Sequence, residues 1–329
     1  MKLLILDSHD PYLNLAIEEY LFRYSKDDIF MLWQNEPCVV IGKNQNAYAE
    51  INLDMLRENG VKPVRRITGG GAVYHDLGNL NYTFISAKQS DGIDFAYFTA
   101  PIIEALASIG VEATLSGRND LLVGDKKISG NAQHTSEGRV LHHGTLLFDA
   151  SLDFLSGVLK VDEEKIKAKA IKSTRSRVTN IRPLLKCDMT VSQFIEKISD
   201  FVIKKYSPDI ICAPVCDKIS ELRERNASLE WIFPDSDYLS GYSITRKRKY
   251  PFGLVTLFIN MRSELITDIK IRGDFFGTEP ISRLEEAIKG RTLSDISELD
   301  IELCDYIFGM TLNELSQLIK NGDQYGISK

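Results

Sequence analysis

The chain is poor in the features that would assign it to several broad classes. Its 329 residues hold five cysteines, Cys38, Cys187, Cys212, Cys216 and Cys304, scattered and odd in number. A disulfide framework is thereby excluded as the source of its stability. Cys212 and Cys216 offer half of a metal site at most, because no second pair of ligands lies nearby. No apolar run approaches the length that spans a bilayer, and the start, Met1–Asp7, is too short and too soon interrupted by acid for a signal peptide. A cytoplasmic protein without membrane association is expected. Positive charge is not in excess either: 40 Lys and Arg against 46 Asp and Glu give a net charge of -6. General nucleic-acid binders carry a basic footprint, so that class is set aside. Internal repeats and low-complexity tracts are absent.

What remains is ordinary globular material, 43% apolar and 26% charged. A chain this long exceeds the size at which one core usually stops growing. Two domains are expected, with the break near the turn formers Pro234-Asp235-Ser236-Asp237, giving 1–238 and 239–329. Leu13, Ala16, Ile17, Tyr20, Leu21 and Tyr24 recur at helical spacing behind Pro11. Further helices are expected at 53–59, 95–109, 152–159, 162–172, 192–205 and 218–226, then at 281–289 and 312–320. Strands are expected at 3–6, 80–84, 140–148, 254–259 and 266–271. The apolar runs 30–33 and 38–42, separated by Asn35-Glu36-Pro37, read as a hairpin. Hairpins mixed with helices suit an α+β architecture: a mixed, largely antiparallel sheet flanked by helices, with a small C-terminal α/β domain.

Three stretches carry the chemistry. Arg65-Arg66-Ile67-Thr68-Gly69-Gly70-Gly71-Ala72-Val73-Tyr74-His75 sets three glycines behind two arginines. Glycine lets a ligand approach the main chain closely, successive N–H groups can cradle an anion, and a guanidinium presents a fork suited to phosphate or carboxylate. The Gly-Lys-Ser/Thr ending of a P-loop and the spaced glycines of a dinucleotide fingerprint are missing. Gly117-Arg118-Asn119-Asp120 is followed by Lys127-Ile128-Ser129-Gly130-Asn131-Ala132, and then by His142-His143-Gly144-Thr145. Each stretch sets ligand-capable side chains beside small residues at the end of an apolar run, as a strand scaffold presents a site on its connections.

Taken in order, these stretches resemble the lipoate–protein ligase A family. Supporting segments are Asn14-Leu15-Ala16-x-Glu18-Glu19, Ile41-Gly42-x-Asn44-Gln45-Asn46 and Ser173-x-Arg175-Ser176-Arg177-Val178-x-Asn180, while Gly273-Asp274-Phe275-Phe276 echoes the small C-terminal domain of two-domain members. The resemblance implies a biotin/lipoate ligase-like catalytic domain, related to the class II aminoacyl-tRNA synthetase fold. It implies a two-step reaction in which lipoate and ATP give lipoyl-AMP, and the lipoyl group then passes to a lysine of an acceptor. Acceptors would be lipoyl-carrier proteins: E2 subunits of 2-oxoacid dehydrogenases or the glycine cleavage H protein.

By the same resemblance Lys127 is the catalytic residue, contacting both the carboxyl group and the phosphate. Arg66, Gly71, Ala72, Val73, Tyr74, Asn119 and Asp120 join it in binding ATP or the adenylate. Gly70, His75, His143, Trp33 and Leu15 join Lys127 around lipoate, with Val73 and Ile128 as further candidates for its apolar slot. Asp120 is the candidate for contacting Mg2+, and a monomer is expected. Arg246-Lys247-Arg248-Lys249 reads as a basic patch that steers an acidic carrier. Three rivals stay open: a ligase for another acid such as octanoate or biotin, a thiol-dependent acyl transferase, for which Cys38 would have to be a nucleophile, and a catalytically silent binding module.

Overall fold

The computed structural model describes residues 1–87, 92–159, 178–235 and 239–321. Its largest sheet, among these residues, has eight strands in the order β11-β1-β2-β6-β10-β9-β8-β7. They are β1 (Lys2–Ile5), β2 (Ile29–Trp33), β6 (Asn79–Ala87), β7 (Thr114–Ser116), β8 (Asp120–Val123), β9 (Lys126–Ser136), β10 (Arg139–Leu147) and β11 (Asp209–Ile211). β1 runs parallel to both of its neighbours, β2 and β11. The remaining pairings are antiparallel.

Both faces of this sheet are apolar, and helices cover each one. Leu3, Phe30, Leu32, Tyr82 and Leu146 pack against Ile102 and Leu106 of helix Phe95–Ser108 and against Phe194, Ile198 and Val202 of helix Val191–Tyr206. Their sequence neighbours Leu4, Met31 and Trp33 face the other way, onto Leu15, Leu21 and Phe22 of helix Pro11–Tyr24 and Ile219 and Leu222 of helix Asp217–Ala227. This is the period-two alternation of a strand, with a core on each side.

A three-stranded sheet sits beside it, β4 (Lys62–Arg65), β3 (Cys38–Ile41) and β5 (Val73–His75) in the order β4-β3-β5. The expected hairpin of residues 30–33 with 38–42 is therefore wrong, because β2 and β3 lie in different sheets. Both strands are buried along their whole length and each is flanked on two sides, β2 by β1 and β6, β3 by β4 and β5. The link between them is pinned rather than turned: the Asn14 amide donates to the Gln34 carbonyl at 2.8 Å and to Asn35 Oδ1 at 3.0 Å.

The C-terminal unit is an antiparallel sheet of β12 (Ile244–Tyr250), β13 (Gly253–Arg262) and β14 (Leu265–Gly273). Val255, Leu257, Ile269 and Ile271 pack on Leu284 and Ile288 of helix Ile281–Ile288 and on Leu315 and Leu318 of helix Leu312–Asn321. The end of β14 then lies on the larger unit. The Gly273 N–H donates to the Asn44 carbonyl at 2.8 Å, and Arg272 grips Asp235 with two bonds of 2.6 and 2.7 Å. The boundary proposed at 238/239 and the helix expected at 162–172 lie outside the described residues. Among those residues no helix is long and apolar enough to cross a membrane.

Candidate functional site

The three sequence stretches meet around one cavity of about 270 Å³. Strands β9 and β10 form its floor, and the loop between β4 and β5, which holds the glycines, forms its wall. β9 carries an irregularity opposite Leu121–Leu122, where Leu121 pairs with Ser129 and Leu122 with Lys127, so that Ile128 is the extra residue. Such a bulge re-aims neighbouring side chains. Lys127 lines the cavity, whereas Ile128 is fully buried in the core beside Leu121. The expectation that Ile128 lines an acyl slot is therefore corrected.

The cavity has an apolar end and a polar end. Leu15, Trp33 and Val73 line the first, with Leu15 and Trp33 buried. His75 stands beside Trp33 with ring centroids 6.3 Å apart. Burial, reinforced by the charges of Arg66 and His143, pulls the His75 imidazole down to a pKa of about 3. It is neutral at physiological pH. The Asn35 amide donates to His75 Nδ1 at 3.1 Å, so the proton sits on Nε2, a buried atom with no partner among the described residues.

At the polar end the ammonium of Lys127 lies 2.7 Å from the carboxylate of Asp120, each side chain about one-third exposed (32% and 37%). Asn119 borders the same end and exchanges backbone and amide bonds with Asn131. Sequence reading gave Asn131 no role, although it lines the cavity and accepts the Tyr82 hydroxyl.

The glycines divide the labour in the loop. A Cβ on Gly69 would sit 2.4 Å from the Phe275 carbonyl oxygen, and Gly70 takes a φ of +90°. These two positions must be glycine because the C-terminal unit rides over the loop and the turn is left-handed. A Cβ on Gly71 meets nothing within 4 Å, so that position is open to a ligand.

The paired arginines serve the backbone. Arg65 donates to the carbonyls of Gly42, Gln45 and Ile232 at 2.7–2.9 Å. Arg66 donates from Nε to Thr68 Oγ1, from Nη1 to Val40 and from Nη2 to Gly69 and Gly71, at 2.7–3.1 Å. A guanidinium has five N–H groups, so a single one remains for any anion. Arg66 does border the cavity, but its first task is to hold the loop's shape.

A buried chain of hydrogen bonds ties that loop to the apolar end. Arg66 Nε and Thr68 Oγ1, Thr68 Oγ1 and His143 Nε2, and His143 Nδ1 and Glu18 Oε1 are each 2.9 Å apart. Thr83 donates to the same Glu18 oxygen at 2.6 Å and accepts Trp33 Nε1–H at 2.9 Å. Glu18 was overlooked as a site residue. It stands four positions after Asn14 on one helix face, and a polar pair at that spacing among apolar neighbours was the available signal.

Tyr74 departs from expectation. Its side chain turns into the core onto Phe154, ring centroids 5.0 Å apart, instead of facing the cavity. No cysteine lines the cavity. Cys38 is wholly buried and burial drives its thiol far above the usual range, so it has no thiolate to act as a nucleophile. The basic run 246–249 is split: alternate residues of β12 face opposite sides, and Lys249 pairs with Asp274 at 3.0 Å.

Nothing among the described residues gathers three or more His, Cys, Asp or Glu into a metal cage. Asp120, the carboxylate paired with Lys127, borders the cavity and would share in holding a cation carried by a ligand. Mg2+ usually binds in that way, through one or two carboxylates and substrate phosphates.

Known proteins resemble this chain over most of its length. The profile of the Lipoyl protein ligase A/B catalytic domain family matches residues 10–202, and that of the Bacterial lipoate protein ligase C-terminus matches residues 240–319. Lipoate-protein ligase LplJ of Bacillus subtilis is 38% identical over 327 residues, covering 94% of this chain and 97% of its own. The crystal structure of P. falciparum LipL1 in complex with lipoate superposes with a TM-score of 0.80 at 27% identity, covering 97% and 98% of the two chains. Lipoate-protein ligase A bound with ATP gives 0.60 at 29% identity, covering 70% of this chain and 98% of that one.

Proposed function

The chain belongs to the lipoate–protein ligase family, and we propose that it transfers lipoate, by way of lipoyl-AMP, to a lysine of lipoyl-carrier domains: the E2 subunits of 2-oxoacid dehydrogenases or the glycine cleavage H protein. The enzyme is a ligase that uses ATP. The observation that carries the assignment is the two-ended cavity, with apolar side chains at one end and the Lys127 ammonium at the other. That polarity matches an acid whose dithiolane and alkyl chain are greasy and whose reacting carboxylate is not.

In the first step a lipoate carboxylate oxygen attacks the α-phosphorus of ATP. The bond to the bridging oxygen of the β-phosphate breaks, and pyrophosphate leaves with both electrons. In the second step the acceptor amine attacks the anhydride carbonyl, AMP departs, and the nitrogen loses a proton to solvent. Both steps bring negative charge to one place, so a fixed cation in a partly dry cleft lowers both barriers. Lys127 is that cation in this reading. Holding carboxylate and nucleotide in one cavity also removes the entropy cost of their encounter. Mg2+ supplies charge neutralisation of the phosphates when bound with the nucleotide.

Arg66, Thr68 and His143 keep the glycine loop against the floor, and Gly71 with Ala72 and Val73 leaves backbone open to the adenylate. Arg246 and Arg248 of β12 lend positive charge toward an acidic carrier. In this reading the enzyme works as a monomer. The test is labelled lipoate incorporation into an apo carrier domain, dependent on ATP and magnesium. A lysine-to-arginine carrier that accepted label equally well would contradict the proposal.

A further inference from the structure

The cavity borders three basic side chains, and their partners differ. Arg66 spends all but one of its N–H groups on backbone and Thr68, and Lys127 is paired with Asp120. Arg118 has neither arrangement. Its Nη2 makes one long bond of 3.3 Å to the Asp274 carbonyl. Its Nη1 is buried with no hydrogen-bond partner among the described residues. A buried N–H left unpaired is costly, the more so on a charged group; Nη1 lies against Gly253, and because the side chain borders the cavity a turn of the guanidinium would bring it an acceptor that arrives with the ligand.

Position supports the same reading. Arg118 follows Gly117, whose φ of +61° makes the turn into β8, and it borders the cavity beside Asn119 and Asp120. The acyl end is the buried one, at Leu15 and Trp33. The guanidinium carbon stands over the Phe276 ring, 4.5 Å from its centroid, where the C-terminal unit meets the open polar end. Burial lowers its pKa while Asp274 and Asp120 act against that, and an arginine keeps its charge regardless.

We propose that Arg118 is the cation that grips the leaving pyrophosphate portion of ATP, in exchange for its weak bond to the Asp274 carbonyl. The assignment rests on the ligase reading and adds a substrate-contacting residue to it. The fork can take two phosphate oxygens at once, while Lys127 stays with the carboxylate and α-phosphate. Because lipoyl-AMP has lost the pyrophosphate, Arg118 matters to the first half-reaction and far less to the second.

The experiment compares full-length wild type, Arg118→Lys and Arg118→Gln in lipoate-dependent ATP–pyrophosphate exchange. In parallel, lipoyl transfer is measured from synthetic lipoyl-AMP to an apo carrier. Arg118→Gln should raise the KM for ATP about tenfold or more, with a smaller rise for Arg118→Lys. The KM for lipoate should stay within about twofold, and transfer from lipoyl-AMP should slow far less than exchange. An unchanged KM for ATP in Arg118→Gln, or equal losses in both half-reactions, would overturn the assignment. Wild-type protein silent in exchange would instead sink the ligase reading on which it rests.

Discussion

Lys127 and Asp120 face each other across the polar end of the cavity, ammonium to carboxylate, at 2.7 Å. The pair gives the lysine a defined position before any substrate binds, and an incoming carboxylate or phosphate competes with Asp120 for it. An ion pair this exposed contributes under about 1 kcal/mol to stability. Lys127→Ala should therefore melt within about 2 °C of wild type while losing adenylate formation by about a hundredfold or more. Lipoyl-AMP measured by chromatography, beside a thermal melt, checks both halves. A variant that made adenylate at near wild-type rate would remove Lys127 from its role.

The Glu18–His143–Thr68–Arg66 chain makes a stability prediction. Thr68 accepts from Arg66 and donates to His143, so Thr68→Val strands two buried partners at once. A loss of about 2–3 kcal/mol is expected, by the desolvation cost of unpaired buried groups. Urea unfolding reads it directly. A change below about 0.5 kcal/mol, the size of an ordinary surface substitution, would mean that the chain holds nothing in place.

Adjacent glycines should answer differently to alanine. Gly69→Ala forces Cβ against the Phe275 carbonyl oxygen, so the contact between the two units must open and the melting temperature should fall by several degrees. Gly71→Ala meets open space. It should melt like wild type and act only on the KM for ATP. Equal melts for both variants would show that the contact at Phe275 does not hold the loop.

Three histidines set the acid limit. Burial lowers His75 and His134 to about 3 and His142 well below its ordinary value. In the unfolded chain each titrates near 6.5, so below that pH the unfolded state binds protons that the native state refuses. Stability is then full above about pH 7 and falls as pH drops through 6.5 toward the folded pKa, by about 1.4 kcal/mol per pH unit per histidine. Urea midpoints at pH 7.5, 6.0 and 5.0 should decline steadily. His134→Gln should flatten the slope by one histidine's share; an unaltered slope would mean that His134 titrates normally in the native state.

The sequence displayed the helices well because they announce their ends. Asp10 caps helix Pro11–Tyr24 through its side chain with proline in the first turn, and Thr190 and Gln193 form a reciprocal cap at Val191–Tyr206. Strand β9 was hidden. Its Ser129-Gly130-Asn131 segment is polar and glycine-bearing, as loops are, yet Ser129 and Asn131 are buried in the sheet and bordered by the cavity's polar network. The false hairpin arose because two short apolar runs look alike whether or not they pair with each other. The arginine fork was legible as a residue type but not as an assignment, since nothing local shows that Arg66 would spend four of its five donors on the loop while Arg118 would leave its Nη1 unpaired among the described residues.

The most direct measurement is pyrophosphate exchange into ATP by the purified full-length protein, with and without lipoate. The account predicts exchange that appears only with lipoate and magnesium and that disappears in Lys127→Ala. Exchange that ran equally well without lipoate, or none at all from folded protein, would contradict it.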